Sequence, residues 1–128
     1  NVQISYVPQR TDGLSGMLSA YAEQSHIDIS QFFTILRKLG FSRVQFEKDI
    51  CTFSEGQKKK VLIARSLCEQ AHLYLWDEPL NYIDIDSRMQ IEELLLKFQP
   101  TMIFVEHDKT FNDKLSTSVL PLSPSVMR

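Results

Sequence analysis

The sequence predicts an α/β fold in which parallel strands carry an inserted α-helical region. Three observations support that expectation. The second half alternates strand-like and helix-like patterns, as layered α/β domains do. Residues 11–50 hold helical patterns and no strand candidate. Leu73-Tyr74-Leu75-Trp76 is an apolar run that stops at Asp77-Glu78-Pro79. A buried strand of a parallel sheet reads as such a run.

The elements follow in order. Residues 2–7 alternate apolar and polar before Pro8-Gln9, which reads as a strand entering a loop. Thr11-Asp12-Gly13 is a turn, and a helix is expected over residues 14–24. Ser30 is the expected cap of a second helix running to Leu39, with Phe32, Phe33, Ile35, Leu36 and Leu39 on one stripe and Gly40 as its stop. Ser42-Arg43-Val44-Gln45 has capping-box spacing for a short third helix. Ser54 caps a long helix to about residue 70, with a stripe read as apolar through Val61, Leu62, Ala64, Arg65 and Leu67-Cys68. A strand over residues 72–76 comes next. Asp86 or Ser87 is the expected cap of a helix to Phe98, and Pro100 separates it from a strand over 101–105. A helix near 109–115 and a strand near 118–122 complete the pattern. The division expected is a strand and loop over 1–10, a helical subdomain over 11–52, and the remaining α/β part over 53–128.

Bulk properties narrow the function classes. The chain has 128 residues, 43% of them hydrophobic and 23% charged, as a single soluble domain has. A net charge of −2 makes no electrostatic case for nucleic-acid binding by these residues. Lys58-Lys59-Lys60 is the one basic run, and its helical setting reads as a solvated face. Cys51 and Cys68 lack metal-like spacing and read as reduced core thiols of a cytoplasmic protein, with a disulfide as the unsupported alternative. No run reaches transmembrane length, and no membrane partner is expected. The chain opens within a strand pattern and without a start methionine, and reads as a piece of a longer protein.

Four motifs carry candidate chemistry. Ser54-Glu55-Gly56-Gln57 opens a helix, where free N–H groups and the helix dipole favour an anion; most such starts are simply caps. Asp77-Glu78 ends a strand, where ligands of parallel sheets gather. The chemical reading gives Asp77 to a magnesium ion and Glu78 to an attacking water; the plain alternative is an exposed turn. His107 follows the next strand, where it could donate to a terminal phosphate. Gln9, at the end of the first strand, could ligate a metal or orient water. His26 and His72 have no comparable setting.

The order Gln9, Ser54–Gln57, Asp77-Glu78, Asp84, His107 resembles the ATP-binding-cassette (ABC) ATPases, a branch of the P-loop NTPase fold. These positions match that family's Q-loop, signature, Walker B, D-loop and H-loop motifs, and the resemblance runs from about residue 2 to 122. It implies ATP and Mg2+ as ligands. Glu78 would be the catalytic base, His107 would grip the γ-phosphate, and Asp77 and Gln9 would hold magnesium. Ser54, Gly56 and Gln57 would touch ATP bound mainly by a second cassette, and Asp84 would meet that cassette too. Asp77-Glu78-Pro79-Leu80-Asn81-Tyr82-Ile83-Asp84 is similar to the Asp-Glu-Pro-Thr-Asn-His-Leu-Asp stretch of ABC-F proteins. These carry two cassettes on one chain and act on the ribosome. Residues 57–64 with Leu80, Tyr82 and Ile83 look like the second cassette of the antibiotic-resistance branch. Competing readings are a nucleotide-sensing module without catalysis and a cassette of a membrane transporter.

Two departures matter. Phe53-Ser54-Glu55-Gly56-Gln57 stands where the family has Leu-Ser-Gly-Gly-Gln, placing a carboxylate near a phosphate site. The phosphate contacts survive if Glu55 points away. No G-x-x-x-x-G-K-[ST] phosphate loop occurs, and the chain has only four glycines. The expectation is a partial P-loop NTPase fold that does not hydrolyse ATP alone. Its sheet, lacking cover, would favour self-association.

Overall fold

The structure, a computed structural model, describes residues 2–105 and 119–121. Its strands are β1 (Ile4–Val7), β2 (Leu73–Asp77), β3 (Met102–Val105) and β4 (Val119–Pro121). They form one sheet in the order β1-β2-β3-β4, and all three pairings are parallel. The helices are α1 (Leu18–Gln24), α2 (Ile29–Lys38), α3 (Arg43–Phe46), α4 (Glu55–Cys68) and α5 (Ile85–Phe98), with a 3-10 turn at Ile50–Thr52. Residues 11–52 hold no strand, as expected. The helix expected near 109–115 lies outside the described residues.

The register aligns Val7 with Trp76 and Asp77 with Val105. The carboxyl ends of β1, β2 and β3 therefore lie along one edge of the sheet. One face carries Ser5, Val7, Trp76, Met102 and Phe104, all buried. On the other face Ile4 and Tyr6 are exposed, and Leu73, Leu75 and Ile103 are half-buried.

Helix α4 is the central helix. It buries Lys59, Val61, Leu62, Ile63, Ala64 and Ser66. Four consecutive buried residues wrap the whole circumference of a helix, which requires packing partners on opposite sides. Those partners are β1 and α2. Buried side chains from Val7 to Phe104 form one continuous cluster through both helical and sheet regions.

Two expected caps shift. Helix α2 is capped by Asp28, whose carboxylate accepts from the Gln31 N–H at 3.1 Å, not by Ser30. Ser30 instead lies in the first turn, and its carbonyl accepts from the Thr34 hydroxyl. Helix α5 is capped by Asp84, which accepts from the Ser87 N–H at 3.0 Å, not by Asp86 or Ser87. Ser87 is buried, and its hydroxyl donates to the Leu39 carbonyl at 3.1 Å, joining α5 to the end of α2. Gly40 ends α2 as expected, with φ of 95°. Cys51 is exposed and Cys68 half-buried, so only Cys68 approaches the expected core setting.

Ile63 is fully buried at the middle of α4. We expect Ile63→Ala to cost about 2–5 kcal/mol of folding stability, read from the denaturant midpoint. A change under about 0.5 kcal/mol, the range of surface substitutions, would mean that α4 is not the packed centre of the fold.

Candidate functional site

The site is built where the sheet's carboxyl edge meets the N-terminus of α4. Asp77 is the last residue of β2, and Gln9 lies two residues beyond β1, the adjacent parallel strand. Glu78 follows Asp77 directly. Its N–H donates to the Val105 carbonyl at 2.8 Å, extending the ladder one residue past the strand. Glu78 is buried at 3% exposure, so the pair is not an exposed turn. Its φ of 51° is left-handed, a conformation that costs a non-glycine residue and persists only where the surroundings enforce it. Tyr82, at φ 66°, is a second such residue in the same loop. His107 lies just past β3 in sequence, outside the described residues.

The α4 N-terminus forms a reciprocal capping box. The Ser54 hydroxyl accepts from the Gln57 N–H at 3.1 Å, and the Gln57 side chain accepts from the Ser54 N–H at 2.9 Å. A helix start leaves its first N–H groups without carbonyl partners inside the helix, and this box takes those of Ser54 and Gln57. The N–H groups of Glu55 and Gly56 remain at the positive end of the dipole for an anion.

Glu55 points away from that end. Its carboxylate accepts from the Thr11 hydroxyl at 2.5 Å, back toward the loop after β1. Gly56 has a local reason to be glycine. A Cβ there would lie 2.3 Å from the Tyr82 carbonyl oxygen, so the loop after Glu78 packs directly on α4. Asp84 closes the same contact, bonding Lys60 at 2.8 Å while it caps α5.

The lysine run departs from the expected solvated face. Lys59 is fully buried, and its ammonium donates to the carbonyls of Pro8 at 3.0 Å and Gln9 at 2.8 Å. The side chain of Gln9 is exposed while its carbonyl is fixed. Lys59 and Thr11 were not sequence candidates. One signal was available for Lys59: it shares a helical face with Leu62, Ile63 and Ser66 at spacings of three, four and seven.

Comparison with known proteins decides the family. Residues 1–81 match the family described as ABC transporter. The chain belongs to this family. The cassette is 34% identical over 89 residues to the ribosome protection protein VmlR of Bacillus subtilis, covering 70% of this chain and 16% of VmlR. It superposes on the archaeal ribosome recycling factor aABCE1, solved with the ribosomal stalk protein aP1, with a TM-score of 0.72 at 25% identity. That match covers 94% of this chain and 25% of the other. The ATP-binding cassette MJ0796, solved as a dimer with ADP and Pi, shares the fold at a TM-score of 0.73 and 18% identity, over 94% of this chain and 59% of that one. The chain spans a fifth or less of the curated relatives it matches. Among the described residues, no helix is long and apolar enough to cross a membrane.

Lys60 sets the titration of Asp84. Its hydrogen bond holds the carboxyl at about 2, below the ordinary 3.8, against a smaller opposing effect of burial; the Ser87 N–H adds to the lowering. A carboxyl depressed on folding stabilises the folded state above its unfolded pKa of about 3.9, and that contribution is lost as pH falls through the folded value. We expect Lys60→Met to move the Asp84 titration, followed by carboxyl NMR, up toward the ordinary value. It should also shift the acid limb of stability to higher pH. A titration that Lys60→Met leaves in place contradicts the pairing.

Proposed function

We propose that these residues form the helical and catalytic part of an ABC-F type cassette, which hydrolyses ATP in the full-length protein and couples that to ribosome binding. The observation that carries the reading is the placement of Asp77-Glu78 at the carboxyl end of β2, with Gln9 at the same end of the neighbouring parallel strand. The similarity to the ribosome protection protein VmlR supports the ribosome as partner; antibiotic resistance is the role that the motif resemblance implies. The likeness to aABCE1 supports the ribosome as well.

The donor set suits Mg2+. Asp77 and Gln9 offer hard oxygen atoms, and Mg2+ is usually held by one or two carboxylates with phosphate oxygens and water. Among the described residues, no three His, Cys, Asp or Glu side chains gather into a metal cluster. The metal would supply charge neutralisation on the β- and γ-phosphates. Glu78 accepts the proton of the attacking water, and its fixed N–H keeps that carboxylate's backbone in place. His107 donates to the γ-phosphate. The N–H groups at the start of α4, with Ser54, Gly56 and Gln57, receive the phosphates of a nucleotide bound by a second cassette of the same protein. Asp84 meets that cassette at the same interface, and its 55% side-chain exposure leaves it accessible while it caps α5.

These 128 residues contain no phosphate loop, so alone they bind Mg·ATP weakly and do not turn it over. The sheet face that exposes Ile4 at 59% and Tyr6 at 47% favours association of the isolated chain. Light scattering should show a dimer or larger species at high concentration; a monodisperse monomer contradicts this.

In the full-length protein, Glu78→Gln should lower ATP turnover by about 10²–10⁴-fold while nucleotide binding persists. The ATP-loaded variant should then sediment with ribosomes. Unchanged turnover removes Glu78 from the mechanism. Failure to sediment, with turnover lost as expected, leaves an ATPase whose partner is not the ribosome. Drug susceptibility of cells with and without the intact gene distinguishes protection from a housekeeping role.

A further inference from the structure

We infer that Lys59 and Glu55 are positioning residues that fix the Gln9 loop to the start of α4, so that the anion site and Gln9 move as one unit. This rests on the ATPase reading above and deepens it.

Glu55 and Lys59 lie one helical turn apart. Glu55 accepts from Thr11 at 2.5 Å, and Lys59 donates to the carbonyls of Pro8 and Gln9 at 3.0 and 2.8 Å. The contacts continue down the helix. Arg65 donates to the Tyr6 carbonyl, Ser66 pairs with Ser5 at 2.6 Å, and Ser5 donates to Glu69 at 2.5 Å. Helix α4 and its C-cap Glu69 thus run from residue 55 to 69 while the strand and its loop run past them from 11 back to 5. The lower part of this seam holds a strand that its ladder to β2 already fixes. The upper part holds only the loop that carries Gln9.

Burial argues that Lys59 serves more than packing. Removing an ammonium from water is costly unless its donors are met, and an apolar side chain of similar length would fill the space without that cost. What the ammonium adds is direction. Two successive carbonyls converge on it, which fixes both peptide planes and leaves the Gln9 side chain outward. Glu55 supplies the second tether from the first helical residue, next to Ser54 and Gly56. A carboxylate at this place therefore holds Thr11, which is itself buried, and is kept off the anion site.

Lys59→Met, Thr11→Val, Gln9→Ala and Lys59→Met/Gln9→Ala in the full-length protein test this, with a folding check by thermal melt. Amide exchange read over residues 9–13 should quicken in Lys59→Met and Thr11→Val, and stay unchanged over β2. Lys59→Met should lower kcat by about ten- to a hundredfold and raise the Mg2+ concentration needed for half-maximal turnover. The double variant should be no slower than Gln9→Ala alone. If the exchange over 9–13 is unchanged, or the losses of Lys59→Met and Gln9→Ala multiply, the inference is overturned. A melt lowered with the Mg2+ dependence unchanged shows a purely structural lysine and overturns it too. Thr11→Val, which keeps shape, reads the Glu55 tether should Lys59→Met not fold. Absence of turnover in the unmodified protein defeats the ATPase reading instead; the exchange measurement still decides whether the loop is held.

Discussion

The ammonium of Lys59, buried beneath the loop after β1, is the constraint on which the rest of the site depends. Its side chain is fully buried while its head meets the Pro8 and Gln9 carbonyls. Below it, Ser66 accepts from the Trp76 indole at 2.8 Å and pairs with Ser5, so α4 also reaches β2. The helix is therefore referenced to two strands and to the loop that leaves one of them. Apolar burial supplies most of the adhesion, since it is non-directional and scales with area. The polar seam supplies register, because each hydrogen bond fails if the helix slides by a turn.

A second set of contacts works from a neighbouring face of α4. The loop after Glu78 lies against Gly56 at a distance that excludes any Cβ, and Lys60 joins it through Asp84. Left-handed residues at Glu78 and Tyr82 bound this loop. Backbone in that region persists only where its surroundings enforce it. Here the surroundings are the Val105 carbonyl, the glycine contact and the cap of α5. The first two turns of one helix thus hold the loops that bear Gln9 and Asp77-Glu78, the groups assigned to metal and water.

Much of this was legible in the sequence. The α4 start was readable because Ser54 and Gln57 are three apart, and a capping box depends only on local spacing. The β2 strand was readable because an apolar run ending in two acids has few other solutions. The order of the motifs made the family visible where each motif alone was weak. The caps of α2 and α5 were misplaced because several capping residues crowd each start: Asp28 with Ser30, and Asp84 with Asp86 and Ser87. Choice among them depends on where the chain turns, which packing decides. Lys59 was misread because its burial is satisfied by carbonyls some fifty residues away, and a run of three lysines reads as solvent-facing. Its spacing to Leu62, Ile63 and Ser66 outweighs its charge. Glu55 was seen as a departure from the family pattern, and only the Thr11 contact shows where its charge goes.

The measurement that tests the account most directly is a structure of the full-length protein with Mg·ATP trapped before hydrolysis. The account predicts magnesium on Asp77 and Gln9, a water within hydrogen-bond reach of Glu78, and a phosphate at the N-terminus of α4 beside Ser54 and Gly56. Nucleotide bound with its phosphates away from the carboxyl edge of β1 and β2, or an α4 N-terminus that meets no phosphate, would contradict it.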